Sequence, residues 1–424
     1  FVGLPDQVVA AHGQVDGVLN IAGIIQRFVH VEELSIEVFL AARFDDFMKG
    51  NRDFAVLFEP TLRTSLAGAS WTRNHLILNV LEDVKNTLTV LTPGSKGWSR
   101  KPLPGAPGFA TVSAGGVDPD EDDTYFMTVS GYLTPTTLMY GTVGKGQPQP
   151  LKQLPAFFDA KGLEVSQHFA TSKDGTKVPY FQVSGKGLKL DGANPTLLYG
   201  YGGFEVSLTP GYSAGVGRAW LAQGGVYVVA NIRGGGEYGP RWHQAALKEK
   251  RHRAYEDFAA VAEDLIARKV TKPARLGIQG GSNGGLLVGA VMLQRPELFR
   301  AVVCQVPLLD MRRYHRMLAG ASWMSEYGDP DDPAQWDWIA RYSPYQNVPP
   351  AGTRLPAVLF TTSTRDDRVH PGHARKMAAR LLQHGHEALL YENIEGGHGG
   401  AADNAQRAEM MALEFAFLWQ QLQD

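Results

Sequence analysis

After about residue 170, short apolar runs alternate with stretches of helical periodicity, and this alternation constrains the fold more than any other feature of the chain. The apolar runs have the length of strands and cover 195–199, 225–230, 275–279, 301–304, 357–360 and 388–392. The helical patterns cover 255–269, 284–294, 372–384 and about 404–421. Continuous apolar strands that alternate with helices are typical of a parallel sheet with helices on both faces. We therefore predict an α/β domain over residues 166–424.

The preceding part of the chain is patterned as β structure. Short runs of strand-forming residues are separated there by Gly, Pro, Asn and Asp, and they cover 54–58, 75–79, 87–91, 125–129 and 137–140. Such spacing is typical of sandwiches, barrels and propellers. The Pro- and Gly-rich segment 99–108 predicts a loop. We predict an all-β segment over residues 39–165 and treat 1–38 as a separate piece.

Composition narrows the classes of partner. The 424 residues carry a formal net charge of -2, whereas nucleic acids and anionic membranes select proteins with a basic excess. No run of about 18 apolar residues is present, so the sequence predicts no membrane span. A single cysteine, Cys304, excludes an internal disulfide, and its apolar surroundings predict a buried thiol.

One motif predicts a nucleophilic serine. Residues 280–284, Gly-Gly-Ser-Asn-Gly, fit G-x-S-x-G between an apolar strand and a helix. In that setting Ser282 would project from a tight turn, because small neighbours tolerate the strained backbone. The backbone N–H of Asn283 is well placed by sequence to meet a developing oxyanion. The alternative is a plain glycine-rich turn that ends a strand.

Two later loops offer partners for this serine. In α/β-hydrolases the order along the chain is serine, acidic residue, histidine, each after a strand. Here Asp366 follows the fifth apolar run and His398 follows the sixth. We predict that His398 is the general base toward Ser282 and the acid toward the leaving group, while Asp366 fixes the imidazole tautomer. Asp367 is a rival for the acidic role, and an acidic surface loop or a flexible histidine turn is the structural alternative.

From about residue 41 to 424 the chain resembles the prolyl oligopeptidase family of serine peptidases. The stretches that carry the resemblance are 199–204 (Tyr-Gly-Tyr-Gly-Gly-Phe), 231–239 (Asn-Ile-Arg-Gly-Gly-Gly-Glu-Tyr-Gly), 280–285, 366–369 (Asp-Asp-Arg-Val) and 397–399 (Gly-His-Gly). The runs at 52–58 and 123–131 are similar to later blades of that family's propeller. The resemblance implies an α/β-hydrolase catalytic domain preceded by an incomplete, propeller-like all-β segment.

The resemblance also implies residue roles. Ser282, Asp366 and His398 match the family's triad, so Asp366 rather than Asp367 is the triad member. Tyr201 matches a tyrosine whose hydroxyl joins the N–H of Asn283 in the oxyanion hole. Trp323 matches an indole that stacks on the substrate proline, and Arg368 matches an arginine that hydrogen-bonds a substrate carbonyl. The other matched pocket positions are Phe204, Leu308, Tyr327 and Val369.

Two features depart from the family pattern. The β segment has room for two or three blades of about 40–45 residues, whereas 4–8 blades usually close a propeller. Residues 15–23, Val-Asp-Gly-Val-Leu-Asn-Ile-Ala-Gly, resemble a strand end of short-chain dehydrogenases, but the dinucleotide-binding glycine motif is missing. We therefore expect residues 1–38 to be a dehydrogenase-like fragment of a fusion or truncated chain.

Together these features predict a serine peptidase that cleaves oligopeptides on the carboxyl side of proline through an acyl-enzyme. A broad-specificity esterase with the same triad and an inactive remnant are the alternatives. We expect no cofactor and no metal. The expected partners are short proline-containing peptides, without nucleic acid or membrane, and the expected state is a monomer. The expected compartment is cytoplasmic or periplasmic, and the start at Phe1 rather than Met leaves that choice open.

Overall fold

The computed structural model describes Val18–Leu19 and residues 38–423. These residues belong to two compact units. The first unit takes Phe1–Leu154 with the short segments Thr209–Gly211 and Tyr238–Pro240, and the second takes the rest of the chain. Each unit is described by itself.

The first unit is built from antiparallel sheets. Its strands are β1 (Val18–Leu19), β2 (Phe39–Ala41), β3 (Ala55–Phe58), β4 (Thr64–Trp71), β5 (Leu76–Glu82), β6 (Lys85–Gly94), β7 (Gly97–Pro102), β8 (Ala110–Gly116), β9 (Thr124–Gly131), β10 (Thr137–Thr142) and β11 (Gln149–Gln153), with helix α1 (Phe44–Met48) after β2. The sheet orders are β1-β2-β3, β4-β5-β6-β7 and β11-β10-β9-β8. Both four-stranded sheets join strands that are consecutive in sequence, as propeller blades do.

Apolar side chains from the two four-stranded sheets pack together in one cluster. Along β9, Tyr125, Met127 and Val129 are buried, because every second side chain of a strand points to the same face. They share one apolar cluster with Ile77 of β5 and Val112 of β8. The predicted loop at 99–108 is wrong in its first residues, since β7 continues to Pro102.

The second unit is a mixed sheet with helices. Its strands are β12 (Leu163–Thr171), β13 (Lys177–Gly185), β14 (Thr196–Gly200), β15 (Val226–Ala230), β16 (Leu276–Gly281), β17 (Ala301–Gln305), β18 (Ala357–Ser363) and β19 (Leu389–Asn393). Its helices are α2 (Ala214–Ala219), α3 (Pro240–Gln244), α4 (His252–Ala267), α5 (Asn283–Gln294), α6 (Met324–Tyr327), α7 (Pro333–Ala340), α8 (Gly372–Gln383) and α9 (Asn404–Leu422). Short 3-10 turns at Lys248–Lys250, Tyr314–Arg316 and Leu318–Trp323 lie between them.

The sheet order is β12-β13-β15-β14-β16-β17-β18-β19. Strands β14 to β19 are parallel to one another where they pair, as predicted. Strand β13 is antiparallel to both of its neighbours, β12 and β15. The short connection between β12 and β13 explains why these two strands are antiparallel, because a tight turn can join only antiparallel strands. The predicted order of an all-β segment followed by an α/β sheet is confirmed.

The central strands position the candidate site. β16 and β17 are buried along almost their whole length, and α5 packs beside them with ten buried residues. Cys304 of β17 is buried as predicted; its thiol donates to the carbonyl of Gly285 at 3.3 Å, and burial raises its pKa. The carboxyl ends of these parallel strands meet at one edge of the sheet, where ligand sites of open α/β folds are found. No helix among the described residues is long and apolar enough to cross a bilayer.

Candidate active site

Ser282 lies in a strained turn between β16 and α5. Its backbone has φ 58° and ψ -115°, which is costly for a residue with a side chain. A Cβ on Gly280 would lie 2.3 Å from the carbonyl oxygen of Gly284, and one on Gly284 would lie 2.7 Å from that of Gly200. Both outer glycines of G-x-S-x-G are therefore required by close backbone approach. The Ser282 N–H donates to the carbonyl of Gln305 at 2.9 Å, which ties the turn to β17.

Asp366 and His398 form a pair after β18 and β19. His398 Nδ1 lies 3.0 Å and 2.9 Å from the two carboxylate oxygens of Asp366, whose side chain is fully buried. The same carboxylate accepts the N–H groups of Arg368 and Val369, each at 2.9 Å. Asp367, the rival residue, is exposed. The geometry therefore joins Asp366 to the histidine, whereas Ser282 and His398 form no hydrogen bond with each other within the described part of the chain.

Polar side chains outside the predicted set hold the His398 loop. The Ser363 hydroxyl, at the end of β18, donates to the carbonyl of Gly396. Asn393, at the end of β19, accepts the N–H groups of Glu395 and Gly396 at 2.9 and 3.1 Å. Each is the last residue of a strand that begins with apolar residues, and a polar residue at the carboxyl end of such a strand is the sequence signal that could have found them.

Tyr201 begins a glycine-rich loop directly after β14. A Cβ on Gly203 would lie 2.5 Å from Asn283 Nδ2, so this position also needs glycine. That nitrogen donates to the Tyr201 carbonyl at 2.6 Å. Burial raises the pKa of the Tyr201 phenol, whereas the positive charge of Arg251 and the nearby Ser282 hydroxyl lower it. The Tyr201 hydroxyl and the candidate nucleophile are thus neighbours.

A buried ion pair that the sequence analysis missed underlies this loop. Arg251 Nη1 donates to Glu326 Oε1 at 2.7 Å, and Arg251 Nη2 donates to Asn283 Oδ1. Glu326 also accepts the Phe204 N–H at 3.0 Å and lies 2.7 Å from His243 Nε2. Burial alone would raise the pKa of Glu326, but the hydrogen bond with His243 and the charge of Arg251 outweigh it, so that pKa is lowered. Arg251 was hidden in a run of charged residues, 248–253, that has the pattern of a solvated surface.

The predicted pocket residues fall into a buried set and an accessible set. Tyr327 is completely buried, packs edge-on against Phe204 at 5.7 Å between ring centroids, and donates its hydroxyl to Asn283 Oδ1 at 2.7 Å. Leu308 and Val369 are buried in the same apolar cluster, and Phe204 and Trp323 are partly buried against it. Arg368 is exposed, and its charge lowers the pKa of Tyr201.

The carboxylate of Glu414, on the closing helix α9, links three neighbouring strands through hydrogen bonds. Glu414 accepts hydrogen bonds from Gln305 Nε2 at 2.8 Å, Thr361 Oγ1 at 3.0 Å and Gln279 Nε2 at 3.4 Å. These partners belong to β17, β18 and β16. Burial raises the pKa of Glu414, and the hydrogen bonds from Gln305 and Thr361 oppose that effect.

A buried histidine holds the loop that follows Leu308. His373 Nδ1 accepts the N–H groups of Leu309 and Asp310 at 3.1 and 3.0 Å. Complete burial lowers the pKa of His373 to about 4, so the ring is neutral at physiological pH.

Among the described residues, one group has the composition of a cation site: His315, Asp329 and Asp331. Arg316 donates to Asp331 at 2.7 Å and to His315 at 3.1 Å. Its guanidinium supplies the positive charge there, so we assign no metal to this group.

Comparison with known proteins agrees with the geometry. The family model described as "Prolyl oligopeptidase family" matches residues 213–424. An uncharacterized peptidase of Sinorhizobium fredii is 52% identical over 369 residues, covering 87% of this chain and 50% of that protein. A prolyl endopeptidase of Elizabethkingia miricola is 38% identical over 304 residues, covering 71% of this chain and 43% of that protein. A post-proline cleaving enzyme from Rickettsia typhi superposes with a TM-score of 0.82 at 38% identity, covering 91% of this chain and 56% of that chain.

These matches also bear on the extent and origin of the chain. The chain spans about half the length of the curated relatives it matches. The matches give no support to a dehydrogenase fragment, and that resemblance lies outside the described residues apart from Val18–Leu19. With half of the chain matched by the family model and both of its sheet types found in the related structure, the chain belongs to the prolyl oligopeptidase family.

Proposed function

We propose that this chain is a serine peptidase that cleaves short peptides on the carboxyl side of proline. The observation that carries the proposal is the buried Asp366 carboxylate bound to His398 Nδ1 at 2.9 Å, at the same sheet edge as Ser282 on its strained turn. The names of two relatives, a prolyl endopeptidase and a post-proline cleaving enzyme, support the choice of proline.

Acylation uses three side chains. The Ser282 Oγ attacks the carbonyl carbon after proline while His398 Nε2 takes the hydroxyl proton, and Asp366 stabilises the imidazolium through Nδ1–H. The carbonyl oxygen becomes an oxyanion that accepts hydrogen bonds from the Asn283 N–H and the Tyr201 hydroxyl. When the C–N bond breaks, His398 returns the proton to the leaving amine, which leaves an ester on Ser282. Apo structures often hold the serine–histidine contact loosely, so its absence here is compatible with this sequence of steps.

Deacylation repeats the chemistry with water. His398 Nε2 takes a proton from the water that attacks the ester carbonyl. The Ser282 oxygen then leaves and recovers that proton, which releases the acid product and the free enzyme.

The partly buried Trp323 is the residue we assign to proline selection. A flat indole face packs well on a pyrrolidine ring, and Phe204, Leu308 and Val369 would complete an apolar wall. The exposed guanidinium of Arg368 would bind a substrate carbonyl. Tyr327 is completely buried, so we assign it a supporting position behind Phe204.

The domain assignment is also a proposal: a partial propeller over 39–165 and a hydrolase domain over 166–424, with residues 1–38 apart. The all-β first unit, with two four-stranded meanders, and the mixed sheet of the second unit support this order of domains; the compact units divide after Leu154, so β12 lies with the mixed sheet.

The decisive experiment compares two substrates. A blocked Gly-Pro peptide with a chromogenic leaving group and a simple p-nitrophenyl ester are assayed with the wild-type chain and with Ser282→Ala. We expect cleavage of the peptide and loss of both activities in the variant. Cleavage of the ester alone would favour the esterase alternative, and activity that survives Ser282→Ala would overturn the mechanism.

A further inference from the structure

The ion pair of Arg251 and Glu326 is buried, although neither residue takes part in the proton transfers proposed above. Their side chains are 1% and 4% exposed. Removing two charges from water costs several kcal/mol per ion, and replacing such a pair by apolar residues is often neutral or stabilising. Stability of the fold alone is therefore a weak reason for placing this pair here.

Several other contacts of the pair converge on one loop, which begins at Tyr201 and ends at Phe204. At its end, Glu326 Oε1 accepts the Phe204 N–H at 3.0 Å. At its beginning, Arg251 donates to Asn283 Oδ1, and Asn283 Nδ2 donates to the Tyr201 carbonyl at 2.6 Å. One ion pair thus bridges both ends of a loop that carries the candidate oxyanion hydroxyl and a wall of the candidate pocket.

The loop has backbone strain that needs such support. Gly202, Phe204 and Glu205 have φ values of 62°, 53° and 57°. A residue with a side chain is strained in this region of backbone conformation and persists there only where its surroundings hold it. His243 adds to that hold, since its Nε2 lies 2.7 Å from Glu326 Oε2 and its Nδ1 lies 3.6 Å from Glu205 Oε2.

The pair also acts on the Tyr201 phenol through its charges. Burial raises the pKa of this phenol, the charge of Arg251 lowers it, and the charge of Glu326 raises it. A phenol with a nearby cation is a stronger hydrogen-bond donor to an anion, because charge-assisted hydrogen bonds exceed neutral ones. Position and donor strength of the hydroxyl therefore depend on the same two residues.

We propose that Arg251 and Glu326 are positioning residues that fix the loop from Tyr201 to Phe204, so that the oxyanion donor and the proline-pocket wall are set together. The proposal rests on the proposed function. Neither side chain touches the substrate, and both act through Tyr201, Asn283 and Phe204.

A double-mutant cycle tests this dependence. Glu326→Gln keeps the shape and an acceptor oxygen but removes the charge, and Tyr201→Phe removes only the hydroxyl. We expect kcat on the Gly-Pro peptide to fall by about 10² in Tyr201→Phe, the size of a lost oxyanion donor. We expect kcat to fall about tenfold in Glu326→Gln because the loop loses its position; the lost charge by itself would lower the Tyr201 pKa and so would not weaken the donor. We expect almost no further loss in the double variant, because both changes disable the same donor.

Additive losses in the cycle would overturn the inference and leave the proposed function standing. Full activity of Tyr201→Phe would overturn the oxyanion role of its hydroxyl and, with it, the catalytic part of the inference. No activity of the wild-type chain would overturn the proposed function. The exchange rate of the Phe204 amide hydrogen separates these cases, because it reports the contact with Glu326 without any turnover. We expect faster exchange in Glu326→Gln, and an unchanged rate would contradict the positioning of the loop.

Two further variants separate positioning from folding. Asp264→Asn is the matched control, because Asp264 accepts the Tyr180 hydroxyl at 2.5 Å on a different part of the second unit, and we expect kcat within about twofold of wild type. If Glu326→Gln does not fold by circular dichroism, His243→Gln replaces it in the cycle. It removes a contact to the same carboxylate from a less buried position, and its loss in kcat must again be non-additive with Tyr201→Phe.

Discussion

Asp366→Asn is the substitution whose effect the geometry predicts most sharply. One oxygen of the Asp366 carboxylate accepts the N–H groups of Arg368 and Val369, each at 2.9 Å. An asparagine at this position keeps those two bonds only if its carbonyl oxygen faces the backbone. Its NH₂ group then faces His398 Nδ1, where the carboxylate had accepted a hydrogen bond.

The consequence is a change of tautomer. Because an amide NH₂ can only donate, His398 Nδ1 must become the acceptor, and the ring proton moves to Nε2. Nε2 then cannot take the proton of Ser282. Loss of the correct tautomer in a triad of this type costs about 10⁴ in kcat, which is about 5.4 kcal/mol of transition-state stabilisation. The two hydrogen bonds from the backbone survive and the one with His398 is reversed rather than lost, so we expect a much smaller effect on the free energy of unfolding.

The assay is steady-state cleavage of the Gly-Pro peptide, with thermal unfolding measured on the same preparations. Asp367→Asn is the matched control, because Asp367 is the exposed neighbour, and we expect its kcat to stay within about twofold of wild type. A kcat for Asp366→Asn within tenfold of wild type would refute the tautomer argument. A larger loss in Asp367→Asn than in Asp366→Asn would show that Asp367, and not Asp366, has the acidic role.

Three further predictions concern the pocket, the turn and acid stability. Trp323→Ala should raise KM for the Gly-Pro peptide more than for the p-nitrophenyl ester, and equal increases would argue against stacking on proline. Gly280→Ala should abolish activity and lower the melting temperature, because its Cβ would lie 2.3 Å from the carbonyl oxygen of Gly284; an active, stable variant would disprove the close approach. Burial lowers the pKa of His373 to about 4 from its ordinary value of 6.5, so stability from the neutral ring is complete above pH 6.5 and falls by about 1.4 kcal/mol per pH unit between 6.5 and 4. Urea unfolding of His373→Asn should show a shallower decline over this range, and identical slopes would speak against the assignment.

The sequence predicted the parallel strands of the second unit well, but not its antiparallel strand β13, which is also buried along most of its length. All six apolar runs after residue 170 correspond to β14 to β19. The edge strand β19 is apolar in sequence although Leu389 and Leu390 are exposed. The first five strands, β14 to β18, are buried along most of their length, because a strand covered on both faces must be apolar throughout. The strands β7 and β11 were missed for the opposite reason: they are mostly or wholly exposed. Their pairing comes from backbone hydrogen bonds to neighbouring strands, which leave no mark in side-chain hydropathy.

The residues of the candidate site also fall into those that the sequence indicates and those that it does not. Ser282, Asp366 and His398 could be proposed as a triad from sequence because each follows an apolar strand, in the order found in α/β-hydrolases. Arg251 and Glu326 could not, because their importance comes from contacts between distant parts of the chain. A charged residue in a polar stretch has the same pattern whether it is solvated or buried in an ion pair.

The carboxylate of Glu414 has a consequence for the order in which the chain is synthesised. It binds side chains on β16, β17 and β18, yet it belongs to α9, which follows all three strands and all three proposed triad residues in the sequence. A growing chain therefore has its nucleophile, acid and base before it has the residue that ties the strand ends beneath them. Gln305 and Thr361 lack this acceptor until α9 docks, so we expect peptide cleavage to begin only after that helix has been translated.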